Sequence, residues 1–134
     1  MRLLIVRHGD PDYSIDSLTE KGWKEAEYLS ERLSKLDVKD FYVSPLGRAK
    51  DTASFTLKKM NRTAVECDWL REFDVLIDRP DVTDRQKRLW DWLPQDMEKD
   101  LDLYDRERWN KTDIMRKGNV EEAYNEVFKR LGLA

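Results

Sequence analysis

Residues 1–10, MRLLIVRHGD, decide how the rest of the chain is read. Leu3 to Val6 form an unbroken apolar run, which predicts a short strand buried on both faces of a parallel sheet. The run stops at Arg7-His8-Gly9, so a cation, a titratable nucleophile and a flexible residue fall where such a strand leaves the core. In open α/β sheets, ligands bind outside the carboxyl ends of the strands. His8 is the one histidine in the sequence, so its imidazole chemistry runs through that position.

Downstream of this stretch, Asp10 to Asp16 reads as a loop, broken by Pro11 and by aspartates that favour turns. Asp10 and Asp12 therefore read as turn formers rather than metal ligands. A helix begins near Ser17-Leu18-Thr19-Glu20. Ser17 and Glu20 have capping-box spacing, and Thr19 is an alternative N-cap. Leu18, Gly22, Ala26, Leu29, Leu33 and Leu36 recur on one face. Gly22 on that face costs about 1 kcal/mol against alanine in an exposed helix, which a close approach to the sheet would explain.

Asp40 to Val43 predicts a second strand. Ser44 and Pro45 suit the N-cap and first position of the helix that follows, with Ala49, Ala53, Leu57 and Met60 as its narrow face. Thr63 to Cys67 predicts a third strand, and Trp69 to Phe73 leaves it. The order β-α-β-α-β is the signature of an α/β fold with a parallel sheet and crossover helices.

From Asp74 to Asn119 the pattern loosens into a charged segment carrying Trp90, Trp92 and Trp109, with one short helix expected near Arg85 to Leu93, ended by Pro94. Long segments of this kind serve as lids or binding loops, and the tryptophans read as the core of a small cap. Asn119 to Leu131 is an amphipathic helix with Val120, Ala123, Tyr124, Val127, Phe128 and Leu131 on one face.

The totals bound the rest. A chain of 134 residues reads as one domain, 1–134, with 74–119 as a variable insertion or cap segment. Lys+Arg (25) and Asp+Glu (28) leave a net charge of −3, which speaks against a nucleic-acid surface spread over the protein. Cys67, the one cysteine, forms no internal disulfide and reads as a buried small residue. No secretory signal precedes the first run, and no apolar stretch approaches the ~20 residues needed to span a bilayer. A cytoplasmic protein with no membrane partner is expected.

Two arginines stand at strand ends. Arg7 follows the first strand, and Arg48 follows the second at the start of a helix, where free N–H groups and a partial positive charge favour anions. Two guanidinium forks there would hold a phosphate dianion in a planar, bidentate way that lysine cannot match. His8 between them could attack phosphorus and carry the phosphoryl group. Glu72, after the third strand, could protonate the departing alcohol and later deprotonate water. That role needs a raised carboxyl pKa, which partial burial beside Phe73 and Trp69 would favour. Tyr13, Ser14 and Thr19 could also touch phosphate, although loop and cap roles explain them equally well.

The ordered motifs Arg7-His8-Gly9, Leu18-Thr19-Glu20-Lys21-Gly22, Ser44-Pro45-Leu46-Gly47-Arg48-Ala49-Lys50-Asp51-Thr52-Ala53 and Leu70-Arg71-Glu72-Phe73 resemble the histidine phosphatase superfamily. This is the clan of phosphoglycerate mutases and related phosphatases. The resemblance covers about the first 75 residues and, more loosely, the final helix. It implies a three-layer α/β/α sandwich, phosphoglycerate mutase-like, with a mostly parallel sheet. It implies His8 as the phosphohistidine nucleophile, Arg7 and Arg48 as phosphate ligands with Gly9 and Thr19 beside them, Glu72 as proton donor, and no metal or other cofactor.

The family places a second histidine on a strand after a helix like that at 119–131, and this sequence has neither. The fold is therefore expected to be incomplete at the C-terminus. Losing one preorganised donor costs roughly 10²–10³ in rate, by analogy with oxyanion-hole deletions.

Two functions follow. One is hydrolysis or transfer of a phosphomonoester through His8, acting on a small phosphorylated substrate or binding inorganic phosphate. The other is a degenerate phosphate-binding domain that completes its sheet with a partner chain, a homodimer through exposed sheet edges being one form.

Overall fold

The computed structural model describes residues 2–79, 81, 82, 85, 87–89, 95, 98 and 100–133. Contacts group the chain into two compact units, Met1–Arg71 and Glu72–Ala134.

In the first unit, β1 (Pro11–Asp12) pairs antiparallel with β2 (Ser17–Leu18), Pro11 standing opposite Leu18. There follow α1 (Glu20–Leu33), β3 (Tyr42–Val43), α2 (Gly47–Met60) and β4 (Val65–Glu66). β3 and β4 are parallel, with Tyr42 opposite Val65. The Val65 and Cys67 amides donate to the Phe41 and Val43 carbonyls at 2.8 and 2.9 Å. This is the crossover unit that the strand-helix-strand order predicts, and Cys67 is buried at its end, as expected.

The described strands nevertheless form three two-stranded sheets, one parallel and two antiparallel. The run Leu3 to Val6 departs furthest from expectation: it forms no strand, and its four side chains are 44–86% exposed. A strand needs a ladder partner to bond its backbone N–H and C=O groups, and no described strand pairs with this run.

α1 and α2 pack on each other, and each carries a narrow line of buried residues: Gly22, Ala26 and Ser30 on α1, Arg48, Thr52 and Thr56 on α2. Trp23 and Phe55 meet edge to face at 5.9 Å. The line on α2 corrects the expected face: Ala49, Ala53, Leu57 and Met60 are only half-buried. Within that line, Arg48 can be buried because it is ion-paired and Thr52 because it is hydrogen-bonded.

Both helix starts also differ from the simplest reading. Thr19, not Ser17, caps α1, its hydroxyl accepting the Gly22 N–H at 3.1 Å. Ser17 lies in β2 and donates to Asp51 Oδ2 at 2.6 Å. α2 begins at Gly47 rather than Pro45, and its N-cap, Leu46, has no side-chain acceptor to offer. The cap comes from a distant loop instead, as the site below shows. Gly22 answers a close approach, though to the Asp10 backbone rather than to a sheet: a Cβ there would lie 2.2 Å from the Asp10 carbonyl oxygen.

In the second unit, β5 (Leu76–Ile77) pairs antiparallel with β6 (Lys87–Arg88), and α3 (Asp113–Lys117) and α4 (Val120–Arg130) follow. Val75, Ile77, Leu103, Met115 and Val120 form its core, with Phe73, Leu89, Trp109, Ile114 and Ala123 packed around it. Trp109 thus takes the core role expected of it. Trp90, Trp92 and Pro94 lie outside the described residues. The helix expected over Arg85 to Leu93 gives way at Lys87–Arg88 to β6, held by its ladder and by Arg88 pairing with Asp74 at 3.2 Å.

On the amphipathic face of α4, Val120 is buried, while Tyr124, Phe128 and Leu131 are exposed. Tyr124 still meets Phe73 and Phe128 edge to face, at 6.0 and 5.1 Å. No helix among the described residues is long and apolar enough to cross a membrane.

Candidate active site around His8 and Arg48

His8 is half-buried, and its Nδ1 lies 2.8 Å from the Gly9 carbonyl oxygen. A carbonyl only accepts, so Nδ1 carries the proton and Nε2 keeps its lone pair in the neutral ring. That is the form a nucleophilic imidazole needs. The Gly9 amide donates to Thr52 Oγ1 at 3.0 Å, and the same hydroxyl donates to the Arg48 carbonyl at 2.7 Å. The turn bearing His8 is therefore tied to the first turns of α2, where Arg48 sits.

Arg48 is 5% exposed, so its charge needs a partner. Asp16 provides one: its Oδ1 accepts from Arg48 Nη1 at 2.7 Å. Its Oδ2 accepts from the Gly47 N–H at 2.6 Å, filling the cap that Leu46 lacks. These bonds hold the Asp16 carboxyl below its ordinary pKa, the Gly47 amide contributing most. The loop reaches this position with Asp16 at φ 49°, a left-handed conformation that aspartate tolerates better than most residues.

Tyr13 joins the two halves. Its ring meets His8 edge to face at 6.5 Å, and the Arg48 guanidinium lies over it, 5.3 Å from the centroid. The imidazole and the buried guanidinium thus flank one aromatic ring.

The remaining predicted site residues are placed as follows. Arg7 is exposed beside His8. Gly9 is half-buried and bonded to Thr52. The Thr19 hydroxyl is engaged in capping α1 and in donating to Asp10 Oδ2 at 2.7 Å. Asp12 closes an Asx turn on the Ser14 amide at 3.0 Å. Glu72 opens the second unit and is exposed, so the partial burial expected beside Phe73 and Trp69 is not found; Trp69 is itself exposed.

Sequence reasoning missed Asp16 and undervalued Thr52. Thr52 carried a signal, lying four residues after Arg48 and so one turn along the same face. Asp16 carried none, because its partners are 31 and 32 residues away.

A 2,3-bisphosphoglycerate-dependent phosphoglycerate mutase from Thermoplasma acidophilum is 35% identical over 72 residues, 46% of this chain and 36% of the mutase. The mitochondrial serine/threonine-protein phosphatase Pgam5 of Drosophila yakuba is 34% identical over 90 residues, 60% of this chain and 31% of the phosphatase. The protein of the same name from Drosophila melanogaster is also 34% identical over 90 residues. The matched part spans about a third of each of these relatives. The sequence model of the histidine phosphatase superfamily (branch 1) matches residues 3–132, nearly the whole chain, and the protein belongs to that family.

Proposed function

We propose that this chain hydrolyses or transfers a phosphomonoester through a phosphohistidine at His8. The observation that carries the reading is the pairing of a nucleophile-ready imidazole with a buried guanidinium on either side of Tyr13. In the proposed first step the Nε2 lone pair attacks phosphorus, an N–P bond forms, and the ester P–O bond breaks with its electrons leaving on the alcohol oxygen. Arg48 and the exposed Arg7 neutralise charge on the phosphoryl oxygens. The sequence nominates Glu72 as the acid that protonates the leaving oxygen and the base that activates water in the second step. Water then takes the phosphoryl group as inorganic phosphate, and His8 is restored. The three-layer α/β/α arrangement belongs to the same proposal, supported by family membership and by the parallel β3-α2-β4 unit.

The test is turnover of p-nitrophenyl phosphate by the full chain, with acid-stable and acid-labile phosphoprotein measured separately after quenching. His8→Ala should abolish both turnover and the acid-labile species. An unchanged rate overturns the reading. Glu72→Gln should slow an alkyl phosphate about 10²–10⁴-fold, the span of general acid catalysis. It should slow the nitrophenyl ester far less, because that leaving group needs no proton.

A second reading has one observation in its favour. The exposed run Leu3 to Val6 directly precedes the site and offers apolar surface to another strand. On this reading the chain binds phosphate and pairs with a second copy of itself. Dimeric mass in solution, lost in Ile5→Lys, is its expected outcome, and a monomer at all concentrations removes it.

A further inference from the structure

We infer that Asp16 is a positioning residue for Arg48, fixing the guanidinium in the orientation in which it receives a phosphoryl oxygen. The inference rests on the proposed role of Arg48 and assigns a function to a loop residue that the chemistry itself does not name.

Arginine side chains carry about 2 kcal/mol of rotamer entropy, so a guanidinium that is to meet an anion in one geometry must be held beforehand. Contacts with Asp16 and Tyr13 help to hold this one. Asp16 Oδ1 fixes Nη1 at 2.7 Å, and the guanidinium carbon lies over the Tyr13 ring, 5.3 Å from its centroid. Asp16 is itself held by its second oxygen on the Gly47 amide at 2.6 Å. The two carboxylate oxygens therefore couple the guanidinium to the helix that bears it.

The neighbouring Ser17 hydroxyl bonds Asp51 one turn further along α2 at 2.6 Å, so the loop is anchored on both sides of Arg48. The backbone shows what this arrangement asks for. At φ 49° glycine would be less strained, yet glycine has no carboxylate.

Asparagine separates positioning from folding. It tolerates positive φ as aspartate does, but it offers one oxygen where two donors must be met, and it brings no charge. The experiment is calorimetric titration of the full chain with inorganic phosphate, comparing wild type, Asp16→Asn, Arg48→Gln and the double variant. Asp16→Asn should weaken phosphate on the order of tenfold, the scale of one misplaced charge-assisted contact. The double variant should bind no more weakly than Arg48→Gln alone, because a positioning residue has nothing to position once the guanidinium is gone. Should Asp16→Asn fail to fold, Asp16→Gly takes its place, since glycine suits the backbone and removes the same carboxylate.

Unchanged affinity in Asp16→Asn overturns the inference, as does tighter binding, which would make the carboxylate a competitor of phosphate. Equal losses with and without Arg48 also overturn it, by showing a general structural role. If Arg48→Gln alone leaves phosphate binding intact, the phosphate role of Arg48 fails first and the inference falls with it. If Arg48→Gln weakens binding and Asp16→Asn does not, only the inference falls.

Discussion

The Gly9 amide and the Thr52 hydroxyl, 43 residues apart in sequence, are joined by a 3.0 Å hydrogen bond. Thr52 is buried and passes the connection on to the Arg48 carbonyl. Thr52→Val keeps the shape and deletes both bonds. It leaves the Gly9 N–H without its acceptor, which costs about 1–3 kcal/mol. Urea unfolding should show that loss, with Thr52→Ser close to wild type. Equal stability of the valine and serine variants would show that the hydroxyl contributes nothing.

Gly22 yields a prediction of unusual sign. Alanine is favoured over glycine by about 1 kcal/mol in a helix interior, so propensity alone makes Gly22→Ala stabilising. Its Cβ, however, would stand 2.2 Å from the Asp10 carbonyl oxygen and 3.0 Å from the Asp10 amide nitrogen. Both are backbone atoms that no side-chain rotation can move. The variant should therefore melt lower than wild type, by the order of 1–3 kcal/mol that overpacking costs. A raised melting temperature would show that α1 can slide away from the loop.

The Asp16 carboxyl predicts an acid limb. Its pKa is lowered in the folded chain, chiefly by the Gly47 amide and then by Arg48. A depressed carboxyl contributes stability that is complete above the unfolded-state value near 3.9 and is lost as pH falls through the folded value. Stability of the wild type should accordingly decline below about pH 4 more steeply than that of Asp16→Asn. Parallel pH profiles for the two proteins would exclude the group. Asp12 and Asp81 are lowered as well, by Ser14 and Arg79, so part of the acid limb should survive in the variant.

Much of this organisation was legible from residue order. The Ser44 to Ala53 motif placed Arg48 at a helix start, and it lies second in α2. Asp40 to Val43 and Thr63 to Cys67 were readable as strands because each is a short β-rich run bounded by turn residues, and Tyr42 and Val43 of the first pair in parallel with Val65 and Glu66 of the second. What failed was whatever depends on partners far along the chain. Leu3 to Val6 has the pattern of a core strand, but pattern reports a side chain's preference and not whether a neighbouring strand is present to meet it. Buried Arg48 and Thr52 were hidden for the opposite reason, since polar residues read as surface until their bonds are known. Asp16 looked like one more turn aspartate. Only the folded loop reveals that its two oxygens cap a helix and pair a buried cation.

Gly47 deserves a last consequence. Its backbone is not left-handed, so nothing in its own conformation forbids a side chain, but a Cβ would lie 2.1 Å from the Asp16 carbonyl oxygen. Exchanging it for any other residue would push the loop outward and carry the Arg48 clamp with it. A library randomised at this codon should thus return glycine alone among variants that still bind phosphate tightly, even where other clones remain folded.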